Sequence, residues 1–223
     1  MSESPLVTVT VCARDGAHWV EDCLDAIFAQ THRPLEIIAV NDGSNDSTGL
    51  LMDQWQQSKT NTDVAISILH QDAIGLSAGR MAALNQAQGE WVAITDIDVR
   101  PERDWIEHLL KANVPVGEER IVAVTGRTIF QTHTDLVSRF RAIEIASKYR
   151  SRPRRTSLAN GPCSMFHRQA LLDVGGFDPE WYHAEDMEVS LRLLDAGGSI
   201  VYAPDALVSH VPEVGVRRFL HKR

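Results

Sequence analysis

Cysteines and long apolar runs are both scarce in this sequence of 223 residues. Its three cysteines, Cys12, Cys23 and Cys163, are too few and too widely spaced to form a disulfide framework. No run of about 18 apolar residues occurs, so no segment resembles a transmembrane helix. Residues 1–5 are short and polar, unlike the start of a secretory signal. Together these absences predict a cytoplasmic protein in a reducing environment.

Basic residues are also fewer than acidic ones, 22 against 30, so the formal net charge is -8. This argues against a general nucleic-acid-binding protein, and no nucleic-acid partner is expected. Basic side chains nevertheless cluster in residues 139–155 and 217–223. Such clusters are usually solvated surface, but they would also suit anionic lipid head groups or a lipid-phosphate substrate. Peripheral contact with the inner face of a membrane therefore stays open.

The first half of the chain alternates strand and helix patterns. Predicted strands cover 6–12, 35–40, 64–69, 91–94 and 121–125, and predicted helices lie between them, the last over 101–113. This α/β pattern predicts a mixed, mostly parallel central sheet with helices on both faces. In such sheets, ligands bind at the carboxyl ends of the strands.

The second half is less regular. Helices are predicted over 133–149 and 169–174 and from 183 to Gly197, and strands over 161–166, 199–202 and 206–211, with a loop over 151–160. The first and last of these helices have predicted apolar faces, formed by Leu136, Phe140, Ile143 and Ser147, and by Met187, Leu191 and Leu194. With 43% hydrophobic residues, the whole chain, 1–223, is expected to form one domain.

Aspartates follow several of the predicted strands. The apolar run Trp91–Ile94 leads to Asp96 and Asp98, whose side chains point the same way in an extended chain. Asp15 and Asp42 follow the first two strands, so all four carboxylates are expected at one edge of the sheet. Two close carboxylates repel each other unless a cation lies between them, and Mg²⁺ or Mn²⁺ accepts such ligands together with substrate phosphates. The alternative is a set of Asp-rich turns.

Six short motifs occur in order along nearly the whole chain. They are Asn41-Asp42-Gly43-Ser44, Gly75-Leu76-Ser77-Ala78-Gly79-Arg80, Asp96-Ile97-Asp98, Gly175-Gly176-Phe177-Asp178, Glu185-Asp186 and His210. In this order they resemble the inverting glycosyltransferases of family 2, which have the GT-A fold. The resemblance implies a GT-A, Rossmann-like domain in which residues 1–126 bind a nucleotide sugar and residues 127–223 hold the acceptor and the catalytic base.

The resemblance also implies a role for each motif. Asp42 would contact a uracil base, Arg80 would reach a base or phosphate, and Asp96 would lie near the ribose and sugar. Asp98 and His210 would hold a divalent metal, Mn²⁺ or Mg²⁺. Asp186 would take the proton of the acceptor hydroxyl, with Glu185 beside it. The other expected substrate-binding residues are Ala13, Arg14, Asp15, Gly43 and Gly161.

The chain departs from the family after the first strand. Cys12-Ala13-Arg14-Asp15 replaces the aromatic motif that commonly stacks on uracil in relatives, and the planar guanidinium of Arg14 could stack instead. This departure concerns the prediction of uracil as the base of the nucleotide donor.

These residues predict a metal-dependent, inverting hexosyltransferase. It would move a sugar, expected to be UDP-linked, to the hydroxyl of a sugar, lipid-linked or other acceptor in polysaccharide, glycolipid or cell-envelope synthesis. Arg154 and Arg155 are expected to bind a phosphate of that acceptor. Two alternatives stay open: a sugar-nucleotide nucleotidyltransferase, whose usual Gly-rich basic loop is a poor match here, and a non-catalytic nucleotide-sugar-binding module.

Overall fold

The computed structural model describes residues 4–60, 62–132, 134–181 and 184–212. The strands are β1 (Val7–Ala13), β2 (Leu35–Asp42), β3 (Ala65–Gln71), β4 (Trp91–Asp96), β5 (Val99–Pro101), β6 (Ile121–Phe130), β7 (Arg155–Thr156), β8 (Ser164–His167) and β9 (Ser199–His210). The helices are α1 (Val20–Phe28), α2 (Thr48–Ser58), α3 (Leu76–Gln86), α4 (Trp105–Ala112), α5 (Leu136–Tyr149), α6 (Arg168–Asp173) and α7 (Glu185–Asp195). Single 3-10 turns cover Ala17–Trp19 and Gly161–Cys163.

These strands join one sheet in the order β3-β2-β1-β4-β8-β6-β9-β5, and β7 pairs with β9 outside this path. Neighbours among β3, β2, β1 and β4 are parallel, as are β6 and β9. β8 runs antiparallel to both β4 and β6, and β5 and β7 run antiparallel to β9. The prediction of a mixed, mostly parallel α/β sheet is confirmed.

Alternate residues of the central strands enter two separate apolar cores. Ala93 of β4 packs in the core that contains Ile106 of α4. Its neighbours Val92 and Ile94 pack in the other core, with Leu84 of α3. Successive side chains of a strand point to opposite faces, so an uninterrupted apolar run suits a strand that is covered on both faces. The predicted placement of helices on both faces is confirmed.

Three predicted element boundaries are wrong. Helix α4 begins at Trp105 rather than near Pro101, because Pro101 pairs with Val208 in the short ladder between β5 and β9. The strand predicted over 161–166 begins only at Ser164, after a 3-10 turn. The two predicted closing strands are one continuous strand, β9, because β6 pairs with it along its length through two register shifts.

The apolar face predicted for α5 points outward. Leu136, Phe140 and Ile143 are 79%, 56% and 69% exposed, whereas Ser138 and Ile145 are buried. The exposed apolar side chains therefore lie on the side of α5 opposite its buried residues. No helix within the described residues is long and apolar enough to cross a membrane.

The apolar face predicted for α7 is wrong at two of its three residues. Met187 and Leu191 are about half exposed, whereas Leu194 packs against the core. The buried residues of α7 are Glu185, Val189, Ser190 and Leu193. Glu185, Val189 and Leu193 are spaced four residues apart and therefore share one face of the helix. A buried carboxylate thus lies on the core-facing side of α7, a position that the hydrophobic pattern alone assigns to solvent.

Candidate active site

The carboxyl ends of β1, β2 and β4 meet at one edge of the sheet. Cys12 near the end of β1 is level with Asp96, the last residue of β4. Asp42 is the last residue of the neighbouring strand β2. Asp15 lies in the turn that follows β1, and Asp98 follows β4. The expected gathering of acidic residues at this edge is therefore present in the strand register.

Asp42 organises the loop that leads into α3. Its buried carboxylate accepts hydrogen bonds from the backbone N–H groups of Ile74 and Gly75, at 3.0 Å each, and from Nε2 of Gln71 at 2.8 Å. The next residue, Gly43, has φ 59°, and a Cβ there would lie 2.4 Å from the backbone nitrogen of Ala73. Glycine is therefore required where this loop crosses β2. Contact of Asp42 with a nucleotide base stays a prediction.

The loop after β1 is tied to the loop after β2. Asp15 has φ 52°, its N–H donates to Oγ of Ser44 at 3.0 Å, and its Oδ1 accepts the N–H of Asn45 at 2.7 Å. Ala13 is buried at the end of β1, whereas Arg14 is exposed at the edge of the site. The short polar links hold Arg14 beside the carboxyl edge of the sheet.

Arg80 connects the end of β4 to the start of α7. The side chain of this residue of α3 is 3% exposed. Its Nη2 donates to Oδ1 of Asp96 at 2.9 Å, and its Nη1 donates to Oε1 of Glu185. Burial alone would lower the pKa of Arg80, but the charges of Asp96 and Glu185 outweigh burial and raise it. The guanidinium thus stays charged and bridges two carboxylates that are distant in sequence.

Asp186 occupies the first turn of α7 beside that bridge. Its Oδ2 accepts the backbone N–H of Gly161 at 2.8 Å, and its Oδ1 accepts the N–H of Met187 at 2.8 Å. A Cβ on Gly161 would lie 3.3 Å from Oδ2 of Asp186 and 3.2 Å from Nη2 of Arg80, so a larger residue there would have to displace these side-chain atoms slightly. The helix N-terminus adds about 0.3–1 kcal/mol in favour of an ionised carboxylate. Asp186 is half-buried and lies outside the ion pairs of Arg80, unlike Glu185.

Two polar residues whose roles the sequence did not indicate hold this turn in place: Ser190, which is buried, and Asn160, which is half-buried. Oγ of Ser190 donates to the carbonyl oxygen of Asp186 at 2.5 Å and accepts the N–H of Ala159 at 3.0 Å. The backbone N–H of Asn160 donates to Oγ1 of Thr125 at 3.0 Å. Ser190 follows Asp186 by four residues, so helical spacing could have indicated it, whereas the role of Asn160 depends on pairing across the fold.

Asp98 and His210 are brought together by the end of the β5–β9 ladder. Val99 pairs with His210, and the N–H of Val211 donates to the carbonyl oxygen of Asp98 at 3.0 Å. As a result, Oδ2 of Asp98 lies 3.5 Å from Nε2 of His210. The ring of Phe130 stacks on His210 with centroids 4.2 Å apart, which fixes the plane of the imidazole.

The donor atoms of Asp98 and His210 fit a divalent cation such as Mn²⁺. Nδ1 of His210 donates to the carbonyl oxygen of Val211 at 2.7 Å, so a neutral ring has its lone pair on Nε2, facing the carboxylate. Two hydrogen-bond acceptors that face each other are stabilised by a shared cation. The described residues contain no group of three or more His, Cys, Asp or Glu side chains placed to bind a metal. Oxygen atoms of phosphate and water would complete the coordination.

The thiol of Cys12 is no nucleophile at neutral pH, although it lies near Arg80. Burial raises its pKa from 9.0 to about 12. The same argument applies to Cys23 and Cys163, whose pKa values burial also raises to about 12. None of the three thiols is therefore a candidate nucleophile.

Arg154 and Arg155, which were expected to bind a phosphate of the acceptor, already have an internal partner. Oε2 of Glu119 accepts from Arg154, and Oε1 accepts from Arg155, each at 2.7 Å. Burial alone would raise the pKa of Glu119, but the two arginine hydrogen bonds outweigh burial and lower it from 4.5 to about 2. This ion-pair cluster joins Arg154 and Arg155, the first residue of β7, to Glu119 in the segment before β6.

Glu119→Gln is expected to lower the free energy of unfolding at pH 7 by about 1–2 kcal/mol, because it removes the negative charge that Arg154 and Arg155 share. The loss is no larger because both arginines are exposed to solvent. The pKa of Glu119 is depressed in the folded state, so its contribution is complete above the ordinary value of 4.5 and is lost as the pH falls toward about 2. Thermal unfolding of the wild type and of Glu119→Gln is expected to show melting temperatures that converge as the pH falls from 7 to 2. Glu118→Gln, at the exposed neighbouring position, is the control and should melt as the wild type does. A difference in melting temperature between the wild type and Glu119→Gln that does not change with pH would contradict this role of Glu119.

Two parts of the sequence-based interpretation lie outside the described residues. They are the basic cluster over 217–223 and the proposed helix-opening residue His183. The predicted start of the helix over 133–149 falls at another such residue, and the described helix begins at Leu136. Asp135 caps it by accepting the N–H groups of Val137 and Ser138 at 3.0 Å and 3.1 Å.

Comparison with known sequences gives consistent matches. The profile of the family described as "Glycosyl transferase family 2" matches residues 8–175. The chain is 35% identical over 117 residues to Glycosyltransferase GlyA of Streptococcus pneumoniae. This match covers 50% of this chain and 16% of that protein. It is 27% identical over 227 residues to the pre-mycofactocin glycosyltransferase of Mycobacterium tuberculosis, covering 97% of this chain and 45% of that protein. The chain therefore spans less than half the length of either relative.

A solved structure has the same fold over nearly the whole chain. It is the mannosyltransferase PcManGT from Pyrobaculum calidifontis, in complex with GDP-Man and Mn²⁺. The TM-score is 0.75 and the sequence identity is 26%, over 98% of this chain and 60% of that one. The GT-A architecture expected from the six motifs is thereby confirmed.

Proposed function

The chain belongs to glycosyl transferase family 2, and we propose that it transfers a hexose from a nucleoside diphosphate sugar to an acceptor hydroxyl with inversion at the anomeric carbon. Residues 1–126 bind the donor in this proposal, and residues 127–223 provide the acceptor side and the base. The polysaccharide, glycolipid or cell-envelope setting expected from the motifs is part of the same proposal.

The observation that carries the proposal is the position of Asp186. It is held by the N–H of Gly161 at 2.8 Å, in the helical turn that Arg80 joins to Asp96 at the end of β4. A carboxylate fixed beside the donor edge, yet outside the ion pairs of Arg80, is suited to receive a proton. Glu185 supports this arrangement by holding the guanidinium from the other side.

The transfer is a single displacement. Asp186 accepts the proton of the acceptor hydroxyl as that oxygen forms a bond to the anomeric carbon, and the bond from this carbon to the diphosphate oxygen breaks. The nucleoside diphosphate leaves with the electron pair of the broken bond. Attack from the face opposite the leaving group inverts the configuration.

Asp98 and His210 would hold the divalent metal of this site. When bound, such an ion supplies Lewis-acid stabilisation of the negative charge on the diphosphate. PcManGT, which resembles this chain, is in complex with Mn²⁺ and a nucleotide sugar, and this supports the assignment by analogy. The protein's part is to present an oxygen and a nitrogen donor 3.5 Å apart at the end of β9.

The nucleotide is expected to be UDP on the grounds of Asp42 in the loop after β2. The GDP-Man of PcManGT makes GDP the second nucleotide to test. Arg14, Asp15 and Gly43 line the same edge and would surround the base. The exposed guanidinium of Arg14 would stack on it in place of an aromatic ring.

An assay of reaction products separates this function from its rivals. With UDP-Glc, UDP-GlcNAc and GDP-Man offered in turn with Mn²⁺, a glycosyltransferase releases UDP or GDP. A nucleotidyltransferase instead releases pyrophosphate from a nucleoside triphosphate and a sugar phosphate. A binding module releases neither. Nucleoside diphosphate release that Mn²⁺ stimulates and EDTA abolishes is the expected result, and pyrophosphate release alone would contradict it.

A further inference from the structure

A cavity of about 330 Å³ lies between β6 and α5, and none of the carboxylates described above lines it. Its walls include Arg127, Thr128 and Phe130 of β6, and Ala142 and Tyr149 of α5. Apart from one charged group, the lining is aromatic, aliphatic or hydroxyl-bearing. We call this space the β6–α5 cavity.

Arg127 in the β6–α5 cavity has no partner for its charge within the described part of the chain. Its Nε is buried without a hydrogen-bond partner, and among the described residues its guanidinium makes no hydrogen bond or ion pair. The contrast with Arg154 and Arg155, which share the carboxylate of Glu119, is clear. A partly buried cation without a counter-ion is costly, and an anionic ligand would offset that cost.

Among the described residues, no carboxylate lines the β6–α5 cavity. Arg152 lies outside this lining, over the ring of Tyr149 at 5.6 Å, and its side chain donates to Oγ1 of Thr156 and to the carbonyl oxygen of Leu158. Arg141 lies over the ring of Phe130 at 5.3 Å and is already paired with Glu144. An anion in the cavity would therefore pair with Arg127, the charged residue of its lining.

The β6–α5 cavity adjoins both sides of the reaction site. Nδ2 of Asn160 donates to Oγ1 of Thr128 at 2.9 Å and to the hydroxyl of Tyr149 at 3.1 Å, and both acceptors line the cavity. The residue after Asn160 is Gly161, whose N–H binds the carboxylate of Asp186. On the other side, Phe130 of the cavity stacks on His210. A molecule in this space would therefore contact side chains that support both the segment holding Asp186 and the imidazole of His210.

An apolar path leads from the β6–α5 cavity to the surface. A second, more open depression of about 470 Å³ shares Ala142 and Ala146 with it and extends to Ile143 and Arg139. Ile143 is 69% exposed. An extended apolar chain could therefore lie along α5 while its polar end remains at Arg127.

We propose that the β6–α5 cavity is the acceptor site, and that the acceptor is an amphiphile with a phosphate on Arg127 and an apolar chain along α5. This inference rests on the proposed function, because it places the acceptor hydroxyl near Asp186. It assigns the phosphate-binding role to Arg127, whereas Arg154 and Arg155 are paired with Glu119. A lipid phosphate and a water-soluble phosphate ester share the anion, and they differ in the chain that the path along α5 would bind.

Calorimetric titration with three probes tests the proposal: decyl phosphate below its micelle concentration, decanol, and glycerol 3-phosphate. Wild-type protein is expected to bind decyl phosphate more tightly than either of the others. Arg127→Gln should weaken that binding by at least about tenfold, as loss of a charge-assisted hydrogen bond predicts. Arg127→Lys, which keeps the charge, should retain more affinity, and Arg155→Gln should bind as the wild type does.

Three results would overturn the proposal. Equal binding of decanol and decyl phosphate would exclude the anion site, and so would equal losses in Arg127→Gln and Arg155→Gln. Glycerol 3-phosphate binding as tightly as decyl phosphate would exclude the apolar path. Titration of UDP with Mn²⁺ in parallel keeps the two functional claims distinct: unchanged UDP binding in Arg127→Gln is expected, and failure of wild type to bind UDP would count against the donor assignment alone. Equal melting temperatures of wild type and Arg127→Gln would confirm an intact fold.

Discussion

Asp186→Asn is expected to reduce sugar transfer by about 100- to 10,000-fold, the range that a positioned general base contributes. Asparagine has the shape of aspartate, and its single side-chain oxygen can still accept the N–H of Gly161, whereas the N–H of Met187 loses its side-chain acceptor. The bond from Oγ of Ser190 to the carbonyl oxygen of residue 186 does not involve the side chain and should keep the first turn of α7 in place. An amide oxygen cannot take a proton from an acceptor hydroxyl, so the loss should appear in kcat, with nucleotide binding unchanged.

The matched control for this variant is Asp195→Asn, which removes a carboxylate from the exposed end of the same helix. It should transfer sugar at the wild-type rate. Initial rates of nucleoside diphosphate release, at saturating donor and acceptor, measure both variants. An Asp186→Asn protein with the kcat of the control would show that the base lies elsewhere.

Arg80→Met is expected to lower the free energy of unfolding by about 3–5 kcal/mol, because it removes one partner from a buried ion pair. Methionine fills most of the space of the arginine stem but leaves the carboxylates of Asp96 and Glu185 without their shared cation. For a domain of this size, such a loss corresponds to a fall in Tm of roughly 6–20 °C. The geometry around Asp186 should loosen as well, since Glu185 precedes it in the same turn.

Two comparisons make this stability prediction specific. Arg103→Met, at an exposed position, should change the free energy of unfolding by no more than about 0.5 kcal/mol. The double variant Arg80→Met/Glu185→Met should recover part of the loss, because it removes a buried charge along with its partner. Denaturant unfolding measures all three. An Arg80→Met protein as stable as Arg103→Met would exclude a structural ion pair.

The donor half was predictable because its signals are local. The strand pattern over 6–12 and the apolar run Trp91–Ile94 correspond to β1 and β4 within about a residue or two at their ends. The position of Asp42 and Asp96 at one edge followed from the parallel order of these strands. Patterns that depend on neighbouring residues and on the rules of parallel sheets therefore located the carboxylates of this edge.

The partners of the charged residues could not be predicted, because they depend on contacts across the fold. Glu185 reads as an exposed acid in a first helical turn, yet it is buried because Arg80, 105 residues earlier, meets it across the sheet edge. Arg154 and Arg155 read as free surface charges until Glu119 is seen between them. The sequence did not indicate a role for Arg127, because this residue lies in a strand outside the basic cluster over 139–155.

The outer faces of α5 and α7 illustrate a second limit. Apolar periodicity predicted that Leu136 and Ile143 face the core, and both are exposed. On α7, the buried face contains Ser190 and Glu185, whose polar atoms have partners inside the protein. Hydrophobic patterns identify a core face only when that face is apolar. Here the inward faces are partly polar because they surround the site.

Calorimetric titration of the wild type and of Asp98→Ala with UDP and with GDP, each with and without Mn²⁺, tests whether this edge of the sheet binds a nucleotide through a metal ion. We expect that the wild type binds UDP in the presence of Mn²⁺, that it binds GDP more weakly, and that Asp98→Ala loses the metal-dependent part of the affinity. Failure to bind either nucleotide would contradict the proposed donor site. So would binding that is indifferent both to Mn²⁺ and to the loss of Asp98.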